Sequence, residues 1–593
     1  MGVYRRTSDR VWRISNWTIL GALGVLPSVR YSKGGQIKKK EGFIVVSQIR
    51  NLERNYADLH DHLKNLDEAG LLVTVDREIN KDTELHPLVR WQFRGGIEEK
   101  DRKAFLFTNV VDSKGNRYDM PVAVGVLAAN RQIYSMGMGC PVEDVEKRWR
   151  EAIANPIPPK EVSSDEAPCH EIIIEGEDLD KPGNGLDALP VPISTPGWDV
   201  GPVATLTQYV TRDPDTGLQN MGNYRAQVKG PKRMGMNPSL ELRPGIYIHW
   251  EKQKAKGEPL EAAVVLGGPS CTTFTSAQKL PEHMEELHVA GGLVGSPVNV
   301  VKARTVDLWV PAEAEIVIEG LISTELLEPE APFGESHGHV NLQEFNAYMD
   351  VTCITRRSNA VLTSIISQVT PSESSCIKQV AYETIFINHL RDALGIKGVK
   401  KVTMHEPLTN IRKVIAVVCE RGMPSTEVWR ALYGTATLLR AGGKFVVAVN
   451  DDIDPSNADA LLWAMSYRCN PVLDMQVLPH RDQGHGPRSK RNNGEDGSVL
   501  FDATLKEDYP PISLPKREFM ENAKGIWEEL DLPPLKPQEP WFGYSLGEWE
   551  DEFDEAADMA TKGEYWAYGE RIAQRRRNDA AMNTEVRDVD ETK

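Results

Sequence analysis

Residues 205–228 read TLTQYVTRDPDTGLQNMGNYRAQV, in which two runs of strand-favouring residues flank the turn sequence DPDTG at 213–217. β-Branched and aromatic side chains favour strands, whereas Asp, Pro and Gly stabilise tight turns. Two strand-like runs that are joined by so short a turn indicate a β-hairpin. The stretch therefore predicts a hairpin within a β-rich domain.

The neighbouring sequence extends this prediction over roughly 160–360. Further short runs of the β type are AAVVLGG (262–268), VNVVKA (298–303) and EAEIVIEG (313–320). Short apolar runs of this kind, separated by turn residues, are typical of a β-rich domain that also contains some helices.

An amphipathic helix is predicted ahead of this domain. Leu59, Leu63 and Leu66 recur at the spacing of one helix face, and Gly70 lies where a helix C-cap is expected. LLVTVDREI (71–79) then continues as a predicted strand.

The character of the sequence changes after about residue 365. A helical stretch at 377–394 leads into RKVIAVVCE (412–420), STEVWRALYGTATLLR (425–440) and KFVVAVNDDID (444–454). The order strand, helix, strand predicts a βαβ-like unit and therefore a second, α/β domain.

Composition bounds the class of protein. A chain of 593 residues is too long for one core, so two or three domains are expected. The formal charge of −17 argues against a general nucleic-acid binder, which needs a surplus of Lys and Arg. Seven scattered cysteines without a C-x-x-C pair predict neither a disulfide framework nor a zinc ribbon, and favour a reducing cytoplasm.

The two ends differ from the rest of the chain. Residues 1–40 hold nine Lys or Arg against one Asp, around the run WTILGALGVLP (17–27), which is too short to span a membrane. We interpret 1–41 as a disordered extension or an early start codon, with a cleaved targeting segment as the alternative. Residues 526–593 combine Pro-rich punctuation with an acidic aromatic segment, and predict an arm or tail that packs on a neighbour, with the last twenty residues disordered.

Three separate segments carry polar groups that a core would not need. They are NMGNYR (220–225), KLPEHMEELHVAGGL (279–293) and EAPFGESHGH (330–339). A guanidinium can hold one carboxylate with two hydrogen bonds while a second, poorly solvated carboxylate keeps its proton. Arg225, Glu330 and Glu335 would form such an acid/base device if they converge on one pocket.

His337 and His339 stand in H-x-H spacing, which on a strand would point both rings the same way and could bind zinc. No third ligand is evident in the sequence. Pocket lining or hydrogen bonding is therefore favoured for the two rings.

These segments together resemble the UbiD-type decarboxylases, which use prenylated FMN. The resemblance covers about residues 42–525. It rests on NMGNYR, on EAPFGE (330–335), on VVKARTVDLWVPAEAEIVIEG (300–320), on VNDDIDPSNADALLWAM (449–465), and on GPRSK (486–490) followed by FDAT (501–504).

The resemblance implies a role for each matching residue. Arg225, Glu330 and Glu335 correspond to the catalytic residues. By this resemblance the substrate bonds to the iminium form of the cofactor, CO2 leaves, and Glu335 delivers the replacing proton. We interpret Arg225 and Glu330 as orienting the substrate carboxylate and tuning Glu335, whose pKa would be raised among apolar walls.

The resemblance also implies a cofactor and ions. Asn220 and Glu286 would bind a divalent ion at the cofactor phosphate, with Mn2+ first and Fe2+ or Mg2+ as alternatives, and K+ as a further ion. Arg225, Ser276 and Lys490 would contact the cofactor. The family's metal-binding His is absent, since Leu242 precedes RPG at the expected position and His249 is out of register.

The implied fold is α/β (α+β): residues 42–365 form a prenylated-FMN-binding region with a split β-barrel, and residues 366–525 an α/β dimerisation domain. A homo-oligomer, dimer or hexamer, is expected, supplied with cofactor by a flavin prenyltransferase. The substrate would be an aromatic or α,β-unsaturated acid. The long tail resembles bacterial relatives in aromatic catabolism that act on aromatic acids or on CoA esters such as phthaloyl-CoA.

Two other classes stay open. A paralogue that binds flavin or a partner without turnover is favoured mildly by the missing His and opposed by the intact Arg and two Glu. A metal hydrolase built on His337 and His339 predicts stoichiometric zinc and activity without flavin. Neither alternative explains all five matching segments.

Overall fold

The computed structural model describes residues 54–238, 243–281, 283–330, 332–409, 411–484, 495–506, 513–535, 551–576, 581–582 and 584. The helices in these ranges are α1 (Leu59–Glu68), α2 (Leu85–Arg94), α3 (Arg131–Met138), α4 (Val145–Ala154), α5 (Gly245–Lys256), α6 (Ser270–Ser276), α7 (Glu286–Val294), α8 (Glu373–Asn388), α9 (Ser425–Leu438), α10 (Ala458–Tyr467), α11 (Arg517–Glu529), α12 (Asp551–Thr561) and α13 (Tyr565–Ala573).

The strands are β1 (Leu72–Val75), β2 (Ile79–Asn80), β3 (Ala104–Phe107), β4 (Val110–Val111), β5 (Arg117–Tyr118), β6 (Val122–Val124), β7 (Lys160–Glu161), β8 (Ile172–Glu175), β9 (Val203–Ala204), β10 (Gln208–Arg212), β11 (Gln219–Asn223), β12 (Ala226–Gly230), β13 (Arg233–Met236), β14 (Leu260–Leu266), β15 (Asn299–Lys302), β16 (Trp309–Pro311), β17 (Ile316–Ile322), β18 (Glu328–Glu330), β19 (Phe333–Gly334), β20 (Val340–Asn341), β21 (Glu344–Arg356), β22 (Leu362–Ser364), β23 (Val399–Met404), β24 (Val414–Cys419), β25 (Phe445–Asn450), β26 (Met475–Asp482) and β27 (Glu495–Asp502).

The central feature is a ten-stranded sheet in the order β11-β10-β14-β17-β21-β13-β12-β9, with β18 and β8 also paired to β21. The predicted hairpin is confirmed, because β10 and β11 pair antiparallel with Thr211 opposite Asn220. Gly217, at φ +75°, supplies the left-handed turn residue. The predicted hairpin was too long, however: residues 226–230 leave it as β12, which pairs with β13 and β9 instead.

The remaining predicted elements of this region are present. Residues 59–68 form α1, whose N-cap Asp58 accepts from the Asp61 N–H at 2.9 Å, and Gly70 follows the helix at φ +68°. The three predicted β runs are found in β14, β15 and β17. The mixed helix and sheet architecture of the predicted fold is confirmed, and the ten-stranded sheet lies in the region predicted for the split β-barrel.

The second predicted domain contains a five-stranded sheet in the order β23-β24-β25-β27-β26. β24 and β25 are parallel and are connected through α9, as the βαβ pattern predicts. Apolar side chains of α8 and α9 pack on one face of this sheet, and those of α10 pack on the other.

The domain boundaries stay a prediction, and the proposed boundary at 525/526 falls inside α11. Residues 1–41 lie outside the described residues, as do most of the last twenty. Within the described part of the chain, no helix is both long and apolar enough to cross a membrane.

A buried ion network connects α1 with the ends of β17 and β21, two inner strands of the central sheet. Arg357, which is 8% exposed, donates to Asp58 Oδ2 at 2.9 Å, and its Nε lies 3.3 Å from Glu315 Oε1. Glu315 is fully buried and also contacts His60 Nε2 at 3.0 Å. Buried carboxylates of this kind are tolerated only while a cation faces them.

Replacing Arg357, the guanidinium that faces both Asp58 and Glu315, should therefore be costly. In Arg357→Met, Glu315 keeps its burial but loses the guanidinium, and we expect a loss of about 3 kcal/mol of unfolding free energy. Urea denaturation, followed by circular dichroism, measures it. Arg150→Met removes a solvent-exposed partner of Glu146 on α4 and should cost under about 1 kcal/mol. Equal midpoints for the two variants would contradict this account.

Candidate active site

Arg225 joins the two glutamates that the sequence pattern singled out. Its Nε and Nη2 donate to Glu330 Oε1 and Oε2 at 2.9 and 2.8 Å, a bidentate pair. Its Nη1 donates to Glu335 Oε1. The three side chains are 15%, 5% and 11% exposed, so one guanidinium and two carboxyl groups share a nearly dry site.

Local topology places these groups together. Arg225 lies in the two-residue gap between β11 and β12, where the chain leaves the hairpin. Glu330 ends β18, which pairs with β21. Glu335 follows β19 in a tight hairpin with β20, closed by its own N–H, which donates to the His339 carbonyl at 2.9 Å.

Side-chain amides complete the site. Asn237 and Asn346 donate to Glu330 Oε2 at 2.6 and 3.2 Å. Asn341 donates to Glu335 Oε1 at 3.0 Å. Each carboxyl group thus accepts an amide N–H as well as the guanidinium.

The charge of Arg225 is maintained although the side chain is buried. Burial opposes the charged form, but hydrogen bonds and charge contacts with Glu330 and Glu335 outweigh it and raise the pKa of Arg225 above its usual value. The Phe333 ring lies 5.1 Å from the guanidinium carbon. The arrangement is a fixed cation with two carboxyl groups, which can orient an anionic substrate and exchange a proton with it.

A second polar cluster lies on the hairpin and on α7. Asn220 Nδ2 donates to Glu286 Oε1 at 2.9 Å, and the Met221 N–H donates to Glu286 Oε2 at 2.8 Å. Burial raises the pKa of Glu286 to about 8, although these hydrogen bonds oppose the shift. Asn220 and Glu286 line a cavity of about 190 Å³.

This cluster has the donors that a hard divalent cation needs. Asn220 Oδ1 is buried and accepts no hydrogen bond, so a carbonyl oxygen is left for a ligand. Carboxylate and amide oxygens suit Mg2+ and Mn2+. The described residues contain no group of three His, Cys, Asp or Glu that could hold a metal alone. A cation at this site would therefore need further ligands from a bound molecule or water.

The other predicted residues are placed as follows. Ser276 ends α6, and its hydroxyl donates to the Thr273 carbonyl at 2.8 Å, while α6 packs against β11 and α7. Lys490 and Leu242 lie outside the described residues. His249 on α5 contacts Thr211, opposite Asn220, with its Nδ1 at 2.9 Å. Thr211 thus engages the Nδ1 of His249, and burial lowers the pKa of this histidine to about 4.

The H-x-H pair does not lie on a strand. Residues 335–339 are the turn between β19 and β20, and the ring centroids of His337 and His339 are 6.0 Å apart. The His339 N–H lies 3.2 Å from His337 Nδ1. The described residues supply no third ligand, so the two histidines border the hairpin of Glu335 without forming a zinc site.

Comparison with known families gives the chain its place. Its sequence matches the N-terminal domain of the 3-octaprenyl-4-hydroxybenzoate carboxy-lyases over residues 63–153, their Rift-related domain over 160–369 and their C-terminal domain over 377–503. These are the three successive UbiD models. The chain belongs to the UbiD family.

Solved UbiD-class structures share the fold. HmfF from Pelotomaculum thermopropionicum, in complex with FMN, is 28% identical and has a TM-score of 0.69, covering 79% of this chain and 100% of HmfF. An evolved dimeric form of HmfF with prFMN is 29% identical, with a TM-score of 0.67, over 77% and 97% of the two chains.

Two further relatives agree. The vanillic acid decarboxylase of Sedimentibacter hydroxybenzoicus is 23% identical, with a TM-score of 0.65 over 80% of this chain and 99% of the decarboxylase, and shows the shared fold. The uncharacterized protein sll0936 of Synechocystis sp. is 28% identical over 517 residues, 83% of this chain and 96% of that protein. The match to the UbiD family therefore extends over most of the chain.

Sequence reasoning missed the amides around the two carboxyl groups. Asn341 and Asn346 lie 6 and 11 residues after Glu335, and Asn237 lies on another segment altogether. A signal was available only for Asn341, because a short hairpin after EAPFGE brings it back beside Glu335. The other two amides reach the site only through long-range strand pairing.

The buried Glu286 predicts a specific pH dependence of stability. Its folded pKa of about 8 lies above the ordinary value of 4.5, so the folded protein binds the proton more tightly and loses stability as pH rises from 4.5 to 8. Glu286→Gln has no ionisable group at this position and therefore lacks this pH-dependent loss of stability. In cofactor-free protein with EDTA, its unfolding free energy should rise relative to the parent by roughly 1–4 kcal/mol over that range.

The matched control is Glu285→Gln, at the adjacent and more exposed glutamate, which is 24% exposed. Burial is the larger cause of the raised pKa of Glu286 and the charge of Glu285 only adds to it, so this substitution should keep most of the pH dependence of stability. If the unfolding free energies of Glu286→Gln and the parent differ by the same amount at pH 4.5 and at pH 8, the burial of an uncompensated carboxyl group at position 286 is contradicted.

Proposed function

We propose that this protein catalyses the reversible, non-oxidative decarboxylation of an aromatic or α,β-unsaturated carboxylic acid with prenylated FMN. The observation that carries the proposal is the Arg225 guanidinium bridging Glu330 and Glu335 in a nearly dry site. Membership of the UbiD family supports the same reaction class. So do the solved HmfF complexes with prFMN and FMN.

The reaction sets two demands on the protein. Breaking the bond to the carboxylate carbon releases CO2 and leaves the electron pair on the substrate carbon, which must then receive a proton. Prenylated FMN would supply the electron sink that no side chain can provide. The chain itself must hold the substrate and deliver the proton.

Arg225 and Glu335 meet these demands. The guanidinium is a permanent cation that can attract the substrate carboxylate and, with Glu330 as its counter-ion, stays in one orientation. Glu335 accepts a hydrogen bond from Arg225 Nη1, and we assign it the role of proton donor. After each turnover Glu335 takes a proton back from solvent.

The cofactor would be anchored at the second cluster. Asn220 and Glu286 would hold a divalent ion, Mn2+ before Fe2+ or Mg2+, at the cofactor phosphate, with K+ as a further ion. Two observations support this site. Asn220 Oδ1 has no hydrogen-bond partner among the described residues. It also lies so close to Gly245, the first residue of α5, that a Cβ atom at position 245 would be 2.5 Å from it. The positive end of a helix favours phosphate. Ser276 and Lys490 would contact the cofactor.

We propose a free acid as the substrate, with a CoA ester such as phthaloyl-CoA as the alternative. A groove of about 480 Å³ lies beside β12 and β18, although Arg225, Glu330 and Glu335 are not among its lining residues. Its basic residue, Lys229, donates to Glu328 Oε2 and the Pro329 carbonyl, both at 3.0 Å. Phosphates of CoA would need cations that are not already paired.

We further propose a cytoplasmic homo-oligomer, a dimer or hexamer, supplied by a flavin prenyltransferase. The edge strand β26 and the turn before it expose Val472, Leu473 and Val477 at 86%, 73% and 58%. Ile526 and Leu530, in and just after α11, are 50% and 64% exposed. Apolar patches of this kind mark protein interfaces, which suits an arm that packs on a second copy.

Cofactor loading is the first test. Protein that is co-produced with a flavin prenyltransferase should carry about one prenylated flavin and one divalent ion per chain, shown by its visible spectrum, mass analysis of the released cofactor and metal analysis. It should then release CO2 from at least one member of a panel of aromatic and α,β-unsaturated acids that includes vanillate and 3,4-dihydroxybenzoate. Loaded protein without turnover on the panel would support the non-catalytic paralogue instead.

Glu335→Gln separates proton transfer from binding. Removing a general acid should lower kcat by about 10²- to 10⁴-fold while the protein still loads flavin and melts at the parent temperature. Glu325→Gln, at an exposed turn ahead of β18, is the matched control and should keep full activity. Unchanged kcat in Glu335→Gln would show that another group delivers the proton.

A further inference from the structure

The two carboxyl groups bound to Arg225 have unequal surroundings. Glu330 is 4% exposed and accepts four N–H donors: two from Arg225, one from Asn237 and one from Asn346. Donors to the ionised oxygens favour the carboxylate over the acid. The four donors thus hold Glu330 in one orientation as the bidentate partner of Arg225.

Two donors to Glu335 reach the same oxygen. Arg225 Nη1 and Asn341 Nδ2 both reach Oε1, the latter at 3.0 Å. Asn341 lies in β20 directly opposite Phe333 of β19, so the short hairpin itself fixes the amide beside the carboxyl group. The orientation of Glu335 therefore depends on a side chain of its own hairpin.

We propose that Asn341 is a positioning residue that holds Glu335 by Oε1 and sets the pH range over which Glu335 carries its transferable proton. The proposal rests on the function assigned above. Asn341 donates to the ionised form, so it keeps Glu335 more acidic than the hairpin alone would. Asn237 and Asn346 likewise hold Glu330 in position through Oε2.

Other charged groups border the same hairpin and act together with Asn341. Neighbouring elements contribute Arg225, Glu330 and Glu344, the last of which lies at the start of β21 opposite Glu330. Asp199 also borders the hairpin and accepts a hydrogen bond from the Gly334 N–H. The turn itself contributes His337 and His339. None of these is changed by a substitution at 341, so a shift caused by that substitution reports the amide.

The test compares Asn341→Leu with Leu342→Asn. Leucine is similar in size to asparagine but cannot donate a hydrogen bond. The substitution should therefore raise the pH at which Glu335 loses its proton by about one unit, which corresponds to one hydrogen bond to a charged group. Asn341→Asp, which places a second carboxyl group there, should raise it further. Leu342 is 85% exposed in the same hairpin, and its substitution should cause no shift.

The primary readout is the infrared spectrum of cofactor-free protein across a pH titration. The carboxyl band of Glu335 is identified as the band that is absent in Glu335→Gln. The second readout is the pH profile of kcat on the acid that the parent decarboxylates, whose alkaline limb should move upward with the infrared transition, because activity requires protonated Glu335.

An upward shift in Asn341→Leu and a larger one in Asn341→Asp support the proposal. Unchanged titration in both folded variants overturns it. If Asn341→Leu fails to fold, the isosteric Asn341→Asp decides alone. If the infrared transition shifts in the variants but the cofactor-loaded parent releases no CO2, the positioning role of Asn341 stands and the proposed reaction is rejected. The failure of one claim is therefore distinguishable from the failure of the other.

Discussion

One guanidinium that faces two carboxyl groups is the constraint on which the site depends. Burying two carboxylates against a single cation leaves one negative charge in excess, and a low-dielectric site resists that excess. Neutral side-chain amides at fixed positions donate hydrogen bonds to the carboxyl groups, two to Glu330 and one to Glu335. A site with this charge balance can hold one ionised carboxylate and one group that takes and returns a proton.

The same stretch of chain connects this site with the proposed cofactor anchor. Asn220 lies in β11 and Arg225 in the gap that follows, so β11 and the residues directly after it supply both the proposed oxygen ligand and the proposed catalytic cation. Departure of the chain from the hairpin after residue 223 is what turns Arg225 towards β18 and Glu330. Fold and chemistry therefore depend on the same irregularity in the sheet.

Local patterns in the sequence predicted the elements, and long-range pairing decided the rest. The DPDTG turn and the apolar periodicities are local signals, so β10, β11, α1 and the βαβ unit were predicted correctly. The separation of β12 from the hairpin was not predicted, because its pairing with β9 and β13 depends on the arrangement of the whole sheet. Arg225, Glu330 and Glu335 stood out as surplus charges, whereas the asparagines are too common to be noticed until tertiary structure brings them to the carboxyl groups.

The most direct test of the central claim is an experimental structure of the protein loaded with prenylated FMN, Mn2+ and a slowly reacting aromatic acid. The account predicts the substrate carboxylate against Arg225, the Glu335 carboxyl within hydrogen-bonding reach of the substrate, and the ion at Asn220 and Glu286. A flavin bound away from both clusters, or Glu335 turned away from the substrate, would contradict it.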